Sequence, residues 1–359
     1  MRSLGDGLPG EVTGFPPFAQ HLTKFEAPNR LCIDHSGPPQ NRRVLHYAFL
    51  MPYVLGFDGG GTKTECVLMD ETGAILARSR SGPSNAVNVG AKASAAALAD
   101  AGLEALRSSG KPPSDVVYIL AGISGAGEPT VQAEIKAVLQ PSFASASIMI
   151  ISDLPLTLAA TNEIPSVVVI AGTGSAVLGW TSPHHVFRAG GFGPIIGDAG
   201  SANDIGRKTV ALCFQKILNK EKFLLTDEIL RAFHCTWLQF VDLAREQPTV
   251  IFPKIFPIVA KAAQSGDQAA QAILSMAAVS LLDQVREVAN QLQLRNTSFF
   301  LAKTGGVFDG SSFLNGEFDG LVAGFYPKAR IGPLPRPVAE SAAQLARDAL
   351  TSPLQIPES

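Results

Sequence analysis

The most chemically suggestive run in the chain is Asp58-Gly59-Gly60-Gly61-Thr62-Lys63-Thr64. Three glycines behind a short apolar strand let the backbone turn sharply and bring its N–H groups against an anion. Thr62, Lys63 and Thr64 add hydroxyl donors and a positive charge. The run lacks the GxxxxGK[ST] spacing of a P-loop, and Glu65 to Met69 after it reads as strand where a P-loop would open a helix. It is therefore a glycine-rich turn inside a β-hairpin, and its plain alternative is a hairpin with a glycine bulge. Asp58, at the strand's end, is placed to hold Mg²⁺ through water, because that ion keeps much of its hydration shell. Gly172-Thr173-Gly174-Ser175 follows a second apolar strand in the same manner. Alone it is a weak signal. As a pair, the two turns can clasp a polyphosphate.

Three further groups have side chains suited to chemistry. Asp153 stands just after an apolar strand over residues 148–152, where loops at the carboxyl ends of an open sheet gather around a ligand. The competing reading is an N-cap for a helix starting at Leu156. In Gly190-Gly191-Phe192-Gly193-Pro194-Ile195-Ile196-Gly197-Asp198-Ala199-Gly200-Ser201-Ala202, the glycines permit close approach to a flat ligand. Asp198 can accept from vicinal hydroxyls, and Ser201 suits the start of a helix. Asn85 in Gly82-Pro83-Ser84-Asn85 reads equally as a turn residue tolerant of left-handed geometry. Gly305-Gly306 reads as an ordinary strand–helix turn.

Alternating strands and Ala-rich helices must position these groups. The pattern predicts strands over 54–58, 65–69, 74–80, 115–121 and 148–152, with helices over 91–108, 128–139 and 156–161. A second cycle has strands over 166–171 and 176–180, separated by the Gly/Thr turn. This order of strand, glycine turn, strand and polar turn repeats the first cycle, so the chain reads as an internal duplication. Helices over 202–218, 226–233, 259–265 and 267–294 follow. A strand over 298–302 leads into Gly305, and an amphipathic helix over 337–350 closes the chain. Ile273, Ala277, Leu281 and Val285 line the long helix at 267–294, which suits either core packing or a partner contact.

The 359 residues are 46% hydrophobic, enough for about two domains. Lys and Arg total 29 against 31 Asp and Glu, a net charge of −2 that lacks the basic excess of a nucleic-acid or membrane-surface binder. Cys32, Cys66, Cys213 and Cys235 show no CxxC spacing and read as reduced thiols in a cytoplasmic protein. The six histidines form no metal-ligand pattern. Residues 1–50 are dense in Gly and Pro without helix or strand periodicity, and are expected to be a disordered extension or a mis-called start ahead of Met51.

Taken together, these stretches resemble the superfamily that joins acetate and sugar kinases with actin and heat-shock ATPases. More narrowly, they resemble its N-acetylglucosamine kinase branch, shared with the BadF/BadG/BcrA/BcrD ATPases. The matching motifs run from Asp58 through Leu120-Ala121-Gly122-Ile123-Ser124-Gly125 and Ser152-Asp153 to Gly305-Gly306-Val307-Phe308. The resemblance implies an α/β, two-domain actin-like ATPase (duplicated ribonuclease H-like) fold with an ATP cleft between lobes. Residues 51–163 plus 337–352 would form the first lobe and 164–336 the second. It implies ATP and Mg²⁺ as cofactors, with Gly59 to Thr64, Gly172 to Ser175, and Gly305 and Gly306 as an adenosine motif contacting the nucleotide. Asp153 becomes the catalytic base for a sugar's 6-hydroxyl. Asn85, Ser124, Gly190, Gly191, Asp198 and Ala202 become sugar contacts. N-acetylglucosamine is the leading substrate, with glucosamine and N-acetylmuramic acid as alternatives and a homodimer as the group's common assembly. The alternative from another class is a BadF/BadG-type ATPase activating a partner enzyme, although the isolated cysteines do not suit its shared iron–sulfur cluster.

Overall fold

The computed structural model describes residues 52–352, 354 and 356. The expectations for residues 1–50 and for a start at Met51 lie outside them, as does Cys32.

The first half of the described chain runs β1 (Tyr53–Gly59), β2 (Thr64–Asp70), β3 (Ile75–Ser81), α1 (Ala86–Ser109), β4 (Val116–Ile123), α2 (Pro129–Leu139), β5 (Ser147–Ser152) and α3 (Asp153–Ala159). The second opens with β6 (Ser166–Ala171), β7 (Ser175–Ser182) and β8 (His185–Gly190). It continues through α4 (Ala202–Leu218), α5 (Leu224–Ala232), α6 (Trp237–Glu246), α7 (Pro248–Ile251), α8 (Phe256–Gln264) and α9 (Gln268–Gln291). The chain then forms β9 (Phe299–Thr304), α10 (Gly306–Gly310), α11 (Ser312–Phe325), β10 (Ala329–Pro333) and α12 (Val338–Asp348).

Two five-stranded sheets result, ordered β3-β2-β1-β4-β5 and β10-β9-β6-β7-β8. In each, an antiparallel meander of three strands is extended by two strands parallel to the first. The inferred duplication is thus complete strand for strand, with β6 standing where β1 stands. The two halves differ in the α4–α9 segment, which the second inserts between its meander and its next strand.

The apolar runs explain the central strands. Val54, Leu55 and Phe57 of β1 and Val167, Val168 and Val169 of β6 are fully buried, as strands covered on both faces must be. The stripe Ile273, Ala277, Leu281 and Val285 of α9 is buried in the second half's core, so this face of the helix is core and not a partner surface. The closing helix α12 packs on the first sheet, where Val338, Ala339, Ala342 and Ala343 bury against Val54, Val67 and Leu120. The approach is so close that a Cβ on Gly56 would lie 2.0 Å from the Ala343 nitrogen.

Several boundaries depart from the sequence expectation for local reasons. The helix expected at 91–108 extends back to Ala86, but Gly90 breaks it at φ 79°, leaving a separate turn capped by Asn85. The helix expected from Leu156 begins at Asp153, because Ser152 takes the extended cap conformation. The strands β8 and β10 are short edge strands carrying Arg188 and Arg330, the kind of charge that protects an edge and hides it from a search for apolar runs. Besides the single-turn α7, two longer helices escaped sequence reading. α6 has a Thr236/Gln239 capping box, a signal that could have found it. In α11, Gly316, Gly320 and Gly324 mask the helix, yet all three face open space.

Candidate active site

The two glycine turns form the ends of equivalent hairpins, and backbone hydrogen bonds tie other candidate residues to each. Gly59 ends β1, and its carbonyl accepts from the Ser124 N–H at 2.8 Å. The Gly60 carbonyl accepts from the N–H groups of Ser84 and Asn85, both at 3.0 Å. These bonds bring Asn85 and Ser124 to the first turn. A side chain at Gly59 would meet Ser84 Oγ at 2.3 Å, so this glycine is required by close packing.

Asn85 takes φ −59°, not a left-handed turn geometry. Its Oδ1 accepts from the Val87 and Asn88 N–H groups at 3.1 and 3.2 Å. Its Nδ2 donates to Ser124 Oγ at 3.1 Å, leaving one amide hydrogen for a ligand. Gly61, Thr62 and Lys63 are exposed at the tip, and Lys63 Nζ donates to Glu65 Oε1 at 2.8 Å. Thr64 is fully buried, its hydroxyl bonded to the Gly82 carbonyl and Ser84 Oγ at 2.8 and 2.7 Å. It braces the turn from behind.

The second turn closes through Gly172 N–H to the Gly174 carbonyl at 2.9 Å. The start of α4 docks on it: Ala202 N–H donates to Gly172 and Asn203 N–H to Thr173, at 2.9 and 3.2 Å. Ala202 itself is buried. Ser175 Oγ donates to the Ala199 carbonyl at 2.8 Å, so this hydroxyl joins the turn to the Asp198 loop. Gly190 and Gly191 both adopt φ 74°, and Gly191 N–H donates to the Ser175 carbonyl. Gly305, at φ 108°, lies against the end of β6, where a Cβ would stand 2.4 Å from the Ala171 carbonyl oxygen. Gly306 opens α10 and faces open space.

Asp198 is a non-glycine residue at φ 58°. The residue is 7% exposed, and its carboxylate abuts Gly174, where a Cβ would lie 2.6 Å from Oδ2. Burial pushes its pKa up, with the Ser175 and Gly193 backbone N–H groups offsetting part of the rise. Ser201 caps α4, accepting from Asp204 N–H, and Asp204 reaches back to the Gly200 N–H at 3.0 Å. Arg207 and Lys208 flank Asp204 at 2.9 and 2.7 Å. Beside this cap lies a cavity of about 660 Å³ with Asn203, Arg207, Lys208 and Phe252 on its wall. Sequence reading missed these residues, although Ser201-x-x-Asp204 carries a capping-box spacing.

The helix α3, with Asp153 at its start, enters the cores of both halves. Asp153 occupies its first turn, where the helix N-terminus favours a negative charge. Burial pushes its pKa up, while hydrogen bonds that include the Ser152 and Ser124 hydroxyls pull the other way. Its neighbour Leu154 packs toward Gly191, where a Cβ would lie 3.9 Å from Leu154 Cδ1. Further along α3, Leu156 joins the core beneath the first sheet and Leu158 the core beneath the second. The carboxylate is also close enough to raise Asp58. Asp58 stands at about 7, first because of burial, then because of Asp153 and Glu65, with Lys63 opposing.

Two neighbouring carboxylates held above their ordinary range suit a divalent cation, whose charge would relieve both burial and mutual repulsion. Among the described residues, no three His, Cys, Asp or Glu side chains gather as a cage. Mg²⁺ commonly takes one or two carboxylates and completes its shell with water and phosphate. Among the described residues, no helix is long and apolar enough to cross a membrane.

Comparison with known proteins decides the family. A family model described as the BadF/BadG/BcrA/BcrD ATPase family matches residues 55–320. The chain belongs to this ATPase family. Both hairpin turns, Asp153 and the Asp198 loop of this BadF/BadG/BcrA/BcrD-family chain fall inside the match. One relative is an N-acetylmuramic acid/N-acetylglucosamine kinase of Clostridium acetobutylicum, 27% identical, covering 83% of this chain and 99% of the relative. Another is an N-acetyl-D-glucosamine kinase of Dictyostelium discoideum, 29% identical over 77% of this chain and 92% of the relative. Among solved structures, a Chromobacterium violaceum protein with a provisional N-acetylglucosamine kinase name matches at TM-score 0.69 and 23% identity. That match covers 82% of this chain and 99% of the other. The fold is therefore the duplicated, two-lobed α/β fold of actin-like ATPases and sugar kinases.

Proposed function

We propose that the chain is an ATP-dependent kinase of amino sugars, with N-acetylglucosamine as its principal substrate and the 6-hydroxyl as the acceptor. The observation that carries this reading is the position of Asp153, beside Asp58 and Ser124, at the start of a helix that enters the cores of both sheets and whose Leu154 packs toward Gly191. The sugar kinase names of the Clostridium and Dictyostelium relatives support it.

In this reading, residues 51–163 with 337–352 form one lobe and 164–336 the other. Backbone N–H groups around Gly61, Thr62, Thr173 and Gly174 receive the triphosphate. Lys63 leaves Glu65 to add charge. Gly305 and Gly306 make room for the nucleoside, with the cavity beside Asn203 and Arg207 as a second wall. Asn85 Nδ2, Ser124, Asp198 and the Gly190–Gly191 backbone orient the hexosamine. Asp58 would hold Mg²⁺, which would supply charge neutralisation at the phosphates. Asp153 accepts the proton of the 6-hydroxyl as that oxygen bonds to the γ-phosphorus. The bond from this phosphorus to the β,γ-bridging oxygen breaks, and ADP leaves with the electron pair. Burial favours the task, because a carboxylate raised toward neutrality is a better base at working pH. Positioning and electrostatics supply most of the remaining acceleration. Dependence on ATP supports a cytoplasmic location.

The test measures ADP release with N-acetylglucosamine, glucosamine, N-acetylmuramic acid, glucose and no sugar. The reading expects turnover only with sugar and fastest with N-acetylglucosamine. Hydrolysis that no sugar stimulates would overturn it.

A further inference from the structure

A residue outside every motif is built into the back of the sugar loop. Gln284 lies on α9, and its Nε2 donates to the Ala199 carbonyl at 2.8 Å. That oxygen also accepts from Ser175 Oγ at 2.8 Å, so both of its lone pairs are engaged. Ala199 directly follows Asp198, whose φ of 58° is unfavourable for a side chain that carries a Cβ. The same face of α9 supports the rest of the turn. A Cβ on Gly200 would meet Leu281 Cγ at 2.6 Å and the Ala277 carbonyl oxygen at 2.7 Å.

The other arm of the carboxamide is equally informative. Gln284 Oε1 is buried without a hydrogen-bond partner. It faces Gly190 so closely that a Cβ there would lie 2.1 Å away. A buried unpaired acceptor costs stability that a Met or Leu would not. A polar group kept at such a cost points to a requirement of the site, since local rules are broken where function needs it.

We propose that Gln284 is a positioning residue for the sugar: with Ser175 it clamps the Ala199 carbonyl and so holds Asp198 in its left-handed conformation. Ser175 ends the second phosphate turn, so the clamp ties the nucleotide turn to the sugar loop while Gln284 anchors both to α9. The inference rests on Asp198 being a sugar ligand.

The experiment uses the full chain and its Gln284→Met, Gln284→Glu and Asp198→Asn variants. Calorimetry gives the dissociation constant of whichever of N-acetylglucosamine, glucosamine and N-acetylmuramic acid binds the unaltered chain best, and of ATP. Gln284→Met keeps the volume but loses the donor, and should weaken sugar binding about tenfold, as expected for one buried hydrogen bond. ATP affinity should stay within about twofold, because Ser175 still holds its own turn. In Gln284→Glu the carboxylate repels the Ala199 oxygen, whereas the neutral acid can donate to it. Its sugar defect should therefore shrink as pH falls, while that of Gln284→Met should not. Equal losses of sugar and ATP affinity, unchanged sugar binding in Gln284→Met, or a pH-independent defect in Gln284→Glu would each overturn the proposal. If Asp198→Asn weakens sugar binding and Gln284→Met does not, only the role of Gln284 falls. If Asp198→Asn leaves sugar binding intact, or no sugar binds, the site reading falls with it.

Discussion

Asp153→Asn separates catalysis from stability. The amide keeps the shape of the side chain and its contacts with the Ser152 and Ser124 hydroxyls, but it cannot take a proton. Loss of a positioned base lowers rates by about 10² to 10⁴, equivalent to roughly 2.7–5.4 kcal/mol of barrier. Stability should move the other way. Burial raises the folded-state pKa of Asp153 and, together with the Asp153 charge, that of Asp58. A carboxyl whose folded pKa lies above its unfolded value binds its proton more tightly in the native state. The native state is therefore penalised progressively as pH rises from about 4, the unfolded value, through the folded pKa. An uncharged residue at 153 removes that penalty and lowers Asp58 as well. Without metal at pH 7, the variant should melt at or above the unaltered chain, with the gap closing toward pH 4. Enzyme-coupled ADP release and thermal melts in chelator measure both quantities. A variant retaining more than about a tenth of the sugar-dependent rate, or one melting well below the unaltered chain at pH 7, would refute the argument.

Two further substitutions test the frame. Gly56→Ala drives a Cβ to 2.0 Å from the Ala343 nitrogen and 2.3 Å from the Ala339 oxygen; neither backbone atom can rotate away, so destabilisation of about 1–3 kcal/mol or more is expected in urea unfolding, and an unchanged midpoint would contradict the packing of α12. Asp204→Asn weakens the cap that joins Gly200, Arg207 and Lys208, with an expected cost of about 1–3 kcal/mol at neutral pH. Burial alone would raise Asp204, but the Gly200 N–H and the Lys208 and Arg207 charges outweigh it and hold its pKa below the ordinary value. Its contribution is therefore present above about pH 4 and vanishes as pH falls through the lower folded pKa. Melting temperatures of the two chains should converge in acid, and a gap that persists there would contradict the charge-based account.

Sequence made the duplicated core legible because the signals there are local. Buried runs such as Val167-Val168-Val169 announce strands, and Gly59-Gly60-Gly61 announces a turn whose first glycine no other side chain could replace without meeting Ser84. The Asp198 loop stood out for the same reason. Edge strands were harder. β8 and β10 mix charged and apolar residues over a few positions, so only the logic of the repeat could have recovered them. Thr64 and Ser175 illustrate another limit. Each sits in a glycine turn where a hydroxyl would suit phosphate, yet both are turned inward onto Gly82 and Ala199. Gln284 was beyond sequence reading. Its partner lies 85 residues away, and a single Gln on an apolar helix resembles any other half-buried amide.

The chain passes from one sheet to the other twice, once after α3 and once between β10 and α12. Leu334, on the returning segment, packs against the cores beneath both sheets. The halves are therefore joined by two neighbouring covalent strands, a two-ply tether instead of a single swivel. Such a joint resists twisting and sliding while leaving a bend about the line through both plies as the soft direction. Because α3 enters both cores beside this tether, Asp153 at its start stands next to the joint.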